Sequence, residues 1–141
     1  MRAYPERTSI NRFDADTPED RRELAEDAIA AHRERDSAFL TLEAERPAER
    51  TDEDAVAPWI QLADDTLNLD CTDSELDRLK SLLDEYPSFT VDELVRPEEA
   101  EGTNARILAR TDDERIAQFV EDVFRQVYEQ DEAYRLWAAG V

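Results

Sequence analysis

Lysine is almost missing from this chain. Lys80 stands alone, and the other 16 of the 17 basic residues are arginine, against 37 acidic residues and a net charge of -20. Glycine is nearly as scarce, with only Gly102 and Gly140. Two isolated glycines cannot build a phosphate-cradling loop or a dinucleotide-binding turn, so both nucleotide motifs are excluded. A single cysteine, Cys71, excludes an internal disulfide framework and a cysteine-cluster zinc site. No apolar run approaches the roughly 18 residues that a membrane-crossing helix needs. The segment Met1 to Arg7 has no apolar targeting core. The expected compartment is the cytoplasm, with no membrane partner. A basic face for nucleic acid is also missing, because the arginines are interleaved with acids throughout.

What the chain has in excess is carboxylate. A charge of -20 on 141 residues repels itself at ordinary ionic strength. In molar salt the Debye length shrinks to roughly 3 Å and most of that repulsion is screened. An acid-rich, lysine-poor, arginine-retaining composition points to the cytosol of an extreme halophile, a haloarchaeon above all. Apolar residues still make up 40% of the chain. They fall in periodic segments, so a folded core is expected rather than disorder. The length suits one domain. Residues 1–16 read as a polar arm and 17–141 as a single α+β domain.

Thr17, Pro18, Glu19 and Asp20 are a helix start: a capping hydroxyl, a proline at the first helical position, then acids near the positive end of the dipole. This helix should run to about Arg35. Its stripe of Leu24, Ala25, Ala28, Ile29 and Ala31 is narrow and suited to a flat surface such as a sheet. Residues 38–42 read as a first strand, and 43–57 as a solvated acidic loop. Residues 59–70 read as a hairpin turning at Asp64-Asp65, with Leu62 opposite Leu67, Ile60 opposite Leu69 and Gln61 facing Asn68. Thr72, Asp73, Ser74 and Glu75 form a capping box. The helix it opens carries Leu76, Leu79, Leu82, Leu83 and Tyr86 on one face and stops at Pro87. Residues 89–95 and 104–110 read as two further strands around a turn with Pro97 and Gly102. Thr111 to Glu114 repeats the capping signature. Ile116, Phe119, Val120, Val123, Phe124, Val127 and Tyr128 then follow at helical spacing. The tail, 133–141, suits a short strand or a helical end. The expected fold is a mainly antiparallel sheet of five or six strands covered by helices, in the order α-βββ-α-ββ-α, with an optional last strand.

Over residues 17–128 this order of elements resembles the YbjN-like and type III secretion chaperone-like fold. That resemblance implies a domain that pairs with itself and binds other polypeptides, without catalytic residues. In composition the chain also resembles the small acidic proteins of haloarchaea.

Each candidate for chemistry has a plain structural alternative. His32, the only histidine, is a general base or metal ligand by type. No motif places a nucleophile beside it, so a surface or half-buried histidine is the better expectation. Cys71 lies at a strand-to-helix turn, where a helix N-terminus activates thiols. The alternation Leu67, Leu69, Cys71 instead points it inward. Asp64, Asp65, Asn68 and Asp70 offer oxygen ligands for calcium but lack the central glycine and closing glutamate of a calcium loop. Acid density alone also suits a DNA mimic, yet salt adaptation explains it without a partner. No metal or cofactor is therefore expected.

Among the large aromatics, Trp59, Phe89, Tyr134 and Trp137 belong to no helix face. Trp59, Tyr134 and Trp137 are the candidate interface residues, the alternative being packing beneath the first or last helix. The expected function is a non-enzymatic adaptor or chaperone-like interaction domain. It would pair with itself, through at least one tryptophan, and with another protein. The alternative is a small-ligand regulatory domain, with a pocket involving Arg106, Arg110 and aromatics as its mark. The charge makes one direct prediction. The melting temperature followed by circular dichroism should rise from about 0.1 M to several molar salt as screening shortens, and equal values at both ends would contradict adaptation to salt.

Overall fold

The computed structural model describes residues 14–36, 38–45, 57–98 and 102–139. In chain order the elements are β1 (Asp14–Ala15), α1 (Pro18–Arg35), β2 (Leu40–Ala44), β3 (Trp59–Ala63), β4 (Thr66–Cys71), α2 (Asp73–Leu83), β5 (Phe89–Val95), β6 (Thr103–Ala109), α3 (Asp113–Asp122), a π-helical turn (Val123–Val127) and β7 (Leu136–Ala139).

Local chemistry accounts for most boundaries. Thr17 caps α1 by accepting from the Asp20 amide at 3.2 Å, with Pro18 in the first turn. Thr72 and Glu75 form the reciprocal capping box of α2. The third helix departs from expectation. Its cap is Asp112, accepting from the Arg115 amide at 2.8 Å, and not Thr111. The residue three beyond Asp112 is an arginine, so no carboxylate reaches back. With glycine scarce, other residues take left-handed backbone: Asp36 closing α1 (φ 54°), Asp64 in the hairpin turn (φ 56°) and Glu129 after the π turn (φ 53°). Aspartate tolerates this conformation better than most residues. Gly102 sits where an added Cβ would lie 3.0 Å from the Cys71 carbonyl oxygen.

The strands form one antiparallel sheet in the order β1-β7-β2-β3-β4-β6-β5. That is seven strands rather than five or six. One addition is β1, which falls inside the expected polar arm; it pairs with β7, more than 100 residues away, and so has no local signal. The other is β7, which settles Leu136–Ala139 as strand. β2 runs from Leu40 to Ala44 rather than over 38–42, because its pairing with β3 and β7 extends that far. Phe39 is left outside it and exposed. The expected acidic loop lies largely over 46–56, outside the described residues. The hairpin keeps its expected register, with Leu62 opposite Leu67 and Gln61 opposite Asn68.

Among the described residues, register and burial together show that the sheet is covered on one side. Leu40, Leu62, Leu67 and Ile107 align across four strands and are all buried. Leu42, Ile60 and Ala138 form another such row. The intervening row, Thr41, Gln61, Asn68, Arg106 and Glu93, is nowhere buried. The helices therefore occupy one face only. α1 packs chiefly on α3 and touches β2 and β7 less, a departure from the expected sheet contact. Its small Ala25 and Ala28 are both buried.

The helical run ending at Tyr128 is not α-helical throughout. Tyr128 N–H reaches back five residues to the Val123 carbonyl at 3.0 Å. Arg78 holds the end of that turn through two bonds to the Val127 carbonyl, at 3.0 and 2.8 Å. Within α3, Phe119 stacks on Phe89 (centroids 4.3 Å) and meets Tyr86 edge-on (5.0 Å). Phe119 is fully buried. Phe119→Ala is expected to cost about 3–5 kcal/mol in urea unfolding, from lost transfer energy plus a cavity. A loss below about 1 kcal/mol would mean that this aromatic cluster is not part of the core.

Candidate functional site

The face that the helices leave free carries the two tryptophans. Glu43 on β2 is paired across the sheet with Trp59 on β3 and with Trp137 on β7, and Trp137 is paired with Asp14 on β1. Paired residues share a face, so Asp14, Trp137, Glu43 and Trp59 form one row. Trp137 is 39% exposed, Trp59 partly so, and Glu43 is exposed. One pleat away, Arg135 gathers three carboxylates: Asp14, Asp16 at 3.2 Å and Glu45 at 3.6 Å. These carboxylates hold its guanidinium above the ordinary range, Asp14 first among them.

Tyr134 does not join that row. It is 6% exposed and belongs to a buried polar cluster that sequence reasoning missed. Arg21 on α1 is fully buried and donates to both oxygens of Glu121 on α3, at 2.8 and 2.7 Å. Its third bond goes to the Tyr134 carbonyl at 2.9 Å, and its guanidinium lies 3.9 Å from the Tyr134 ring centroid. Tyr134 in turn donates its hydroxyl to Glu121 at 3.0 Å. Burial works against the Arg21 charge; Glu121 and Tyr134 outweigh it, so the guanidinium is held above its usual range. Burial, then the Glu121 charge, pushes the Tyr134 hydroxyl up. The available signal was periodic. Arg21 and His32 fall on the α1 stripe with Leu24, Ala25, Ala28 and Ile29, and Glu121 falls on the α3 stripe with Ala117, Val120 and Phe124.

The other candidates are not brought together. His32 is buried, and among the described residues its Nδ1 has no hydrogen-bond partner. Asp65 pairs with Arg33 at 3.4 Å, while Asp70, at the far end of β4, accepts from Asn104 at 2.9 Å. Among the described residues no three histidine, cysteine, aspartate or glutamate side chains converge on a metal position. Arg106 pairs with Glu93 at 3.2 Å on the open sheet face. Cys71 borders a cavity of about 380 Å³ with Trp59, Asp70, Glu75 and Tyr128. Its thiol is pushed up to about 12, by burial first and then by the Glu75 carboxylate.

The sequence model of a family of unknown function, DUF7975, matches residues 10–141. The chain belongs to that family. The matched span takes in every strand and helix described above. No curated protein and no solved structure matches this DUF7975 chain.

Two predictions follow from burial. Removing one partner of the Arg21–Glu121 pair strands a charge in the core. Arg21→Met or Glu121→Gln should therefore each cost about 3–5 kcal/mol, and joint replacement by apolar residues far less than their sum. Additive losses in denaturant unfolding would mean the two do not act as a pair. The Cys71 thiol should resist iodoacetamide at pH 8.5 until the chain unfolds. The folded chain keeps this proton to higher pH than the unfolded chain, whose thiol titrates at about 8.5. The stability this contributes is complete below that pH and is lost as pH climbs towards about 12. Rapid labelling of the folded chain would contradict the buried position.

Proposed function

We propose that this chain is a non-enzymatic interaction domain, adaptor-like or chaperone-like, that holds another protein against the sheet face opposite the described helices. The observation that carries this reading is the row of Trp59, Glu43 and Trp137 on the face without helices. Tryptophans are frequent anchors of protein contacts, and exposed apolar groups clustered on one face are uncommon without a partner. The non-enzymatic part is supported by His32 and Cys71, the two side chains best suited to catalysis, both lying inside the fold. A haloarchaeal cytoplasm is the proposed setting, on composition. No nucleic-acid or membrane partner is proposed, since a charge of -20 opposes phosphate backbones and anionic lipid alike.

Self-pairing fits the edge strand β5. The opposite edge, β1, has two residues, whereas β5 has seven and leaves Val91, Leu94 and Val95 exposed. Antiparallel pairing of β5 with its copy, Val91 against Leu94, also sets Asp92 against Glu93. Those like charges make the homodimer dependent on salt. Light scattering should give a dimer at about 2 M salt and a monomer near 0.1 M, with Leu94→Glu monomeric in both. A monomer at both salts would end the dimer proposal.

A second reading, a small-ligand regulatory domain, is favoured by the cavity beside Trp59. Affinity capture in high salt separates the two. The wild-type chain should retain a protein that the Trp59→Ala, Trp137→Ala double variant loses. Equal capture by both would contradict the interaction reading.

A further inference from the structure

We infer that the row Trp59, Glu43 and Trp137 receives an arginine side chain of a partner protein, its guanidinium against the indoles and over the carboxylate. The inference rests on the interaction reading above and names the chemistry of what docks.

The chain seats one of its own arginines in this way, and places a second, which donates to the Glu85 carbonyl, over a ring whose hydroxyl bonds a carboxylate. Arg21 lies 3.9 Å from the Tyr134 ring centroid and bonds Glu121, which also accepts from the Tyr134 hydroxyl. Arg115 lies 4.2 Å from the Tyr86 ring centroid, and the Tyr86 hydroxyl donates to Asp122. Each set is an aromatic ring, a carboxylate and a guanidinium. The row on the open face has the first two components, and among the described residues nothing supplies the third. Glu43 is exposed, and no described cation or donor pairs with its carboxylate. The nearby guanidiniums are taken: Arg135 by Asp14, Asp16 and Glu45, and Arg106 by Glu93.

Spacing and chemistry both suit one planar cation. Trp59 and Trp137 lie on the two strands flanking β2. With strands about 4.8 Å apart, their backbones are roughly 10 Å from one another, with Glu43 between. Indole faces attract cations, and a carboxylate accepts a charge-assisted bond from a guanidinium. Arginine suits this better than lysine, because guanidinium is planar, weakly hydrated and stacks on rings. Stacking and short-range bonding also persist in salt concentrations that remove long-range steering.

The test uses the full chain in about 2 M salt, where screening is nearly complete. Short peptides differing at one central position, arginine, lysine or citrulline, are titrated while the two indole N–H resonances are followed. The arginine peptide should shift both resonances, the lysine peptide less, and the neutral citrulline peptide least. Glu43→Gln, a surface change checked for folding by circular dichroism, should weaken arginine-peptide binding roughly tenfold. Equal shifts by the citrulline peptide, or no effect of Glu43→Gln, would overturn the inference. Binding of free guanidinium as tightly as the peptide would overturn it in favour of a small-molecule site. The two readings fail separately. Loss of the captured partner with the tryptophans but not with Glu43→Gln sinks the arginine alone, whereas capture indifferent to the tryptophans sinks the interaction reading itself.

Discussion

Three helices cover one face of a seven-stranded sheet, and among the described residues nothing covers the other. Every strand must then alternate, apolar towards the helices and polar towards water. The alternation is clean in β2, β3, β4 and β6. It is lost in the edge strand β5, where every residue after Phe89 is exposed, and apolar side chains also stand on the water-facing side, Leu108 on β6 and the two tryptophans among them. Trp59 and Trp137 occupy water-facing positions, and both flank the same glutamate. Core packing does not require them there, since the covered side is filled by Leu42, Ile60 and Ala138 at the neighbouring positions. Among the described residues, the core does not account for this pair.

Arginine is the cation this composition keeps, and the structure shows uses that lysine would serve poorly. Arg21 makes a two-pronged bond to Glu121 and stacks on Tyr134, which ties α1, α3 and the approach to β7 together inside the core. Arg135 collects acids from β1 and from the end of β2 at the sheet surface. Arg33 links the end of α1 to Asp113 at the start of α3 and to the hairpin turn. A chain carrying 37 acids gains most from cations that satisfy several carboxylates at once. Exposed pairs of this kind are individually weak and further weakened by salt, so the stabilising weight rests on the apolar core, within which the buried pair must stay matched.

Short-range signals were legible in the sequence. Thr17 with Pro18, the Thr72–Glu75 box, and the facing leucines of the hairpin each depend on residues a few positions apart, and each appears in the structure. Features set by distant parts of the chain were not. β1 exists because β7 pairs with it, and β2 runs on to Ala44 because β7 and β3 extend it. Glu43 looked like the start of an acidic loop because a water-facing strand position and a loop position favour the same residue. The π turn left no mark in the hydrophobic spacing of α3. Trp59 and Trp137 could be singled out as candidates, but only the register of three strands places them on either side of Glu43. Tyr134 looked equivalent and is not, because its partners, Arg21 and Glu121, lie 113 and 13 positions away.

Whether the open face is covered by another protein can be measured without knowing which protein it is. Hydroxyl-radical footprinting of the chain, free and within the assembly isolated from its host in high salt, reports each tryptophan separately. Both Trp59 and Trp137 should be oxidised in the free chain and protected together in the assembly, while the exposed sides of α1 and α2 change little. Tryptophans equally oxidised in both states, with protection appearing on the helical side instead, would contradict the assignment of the sheet face as the binding surface.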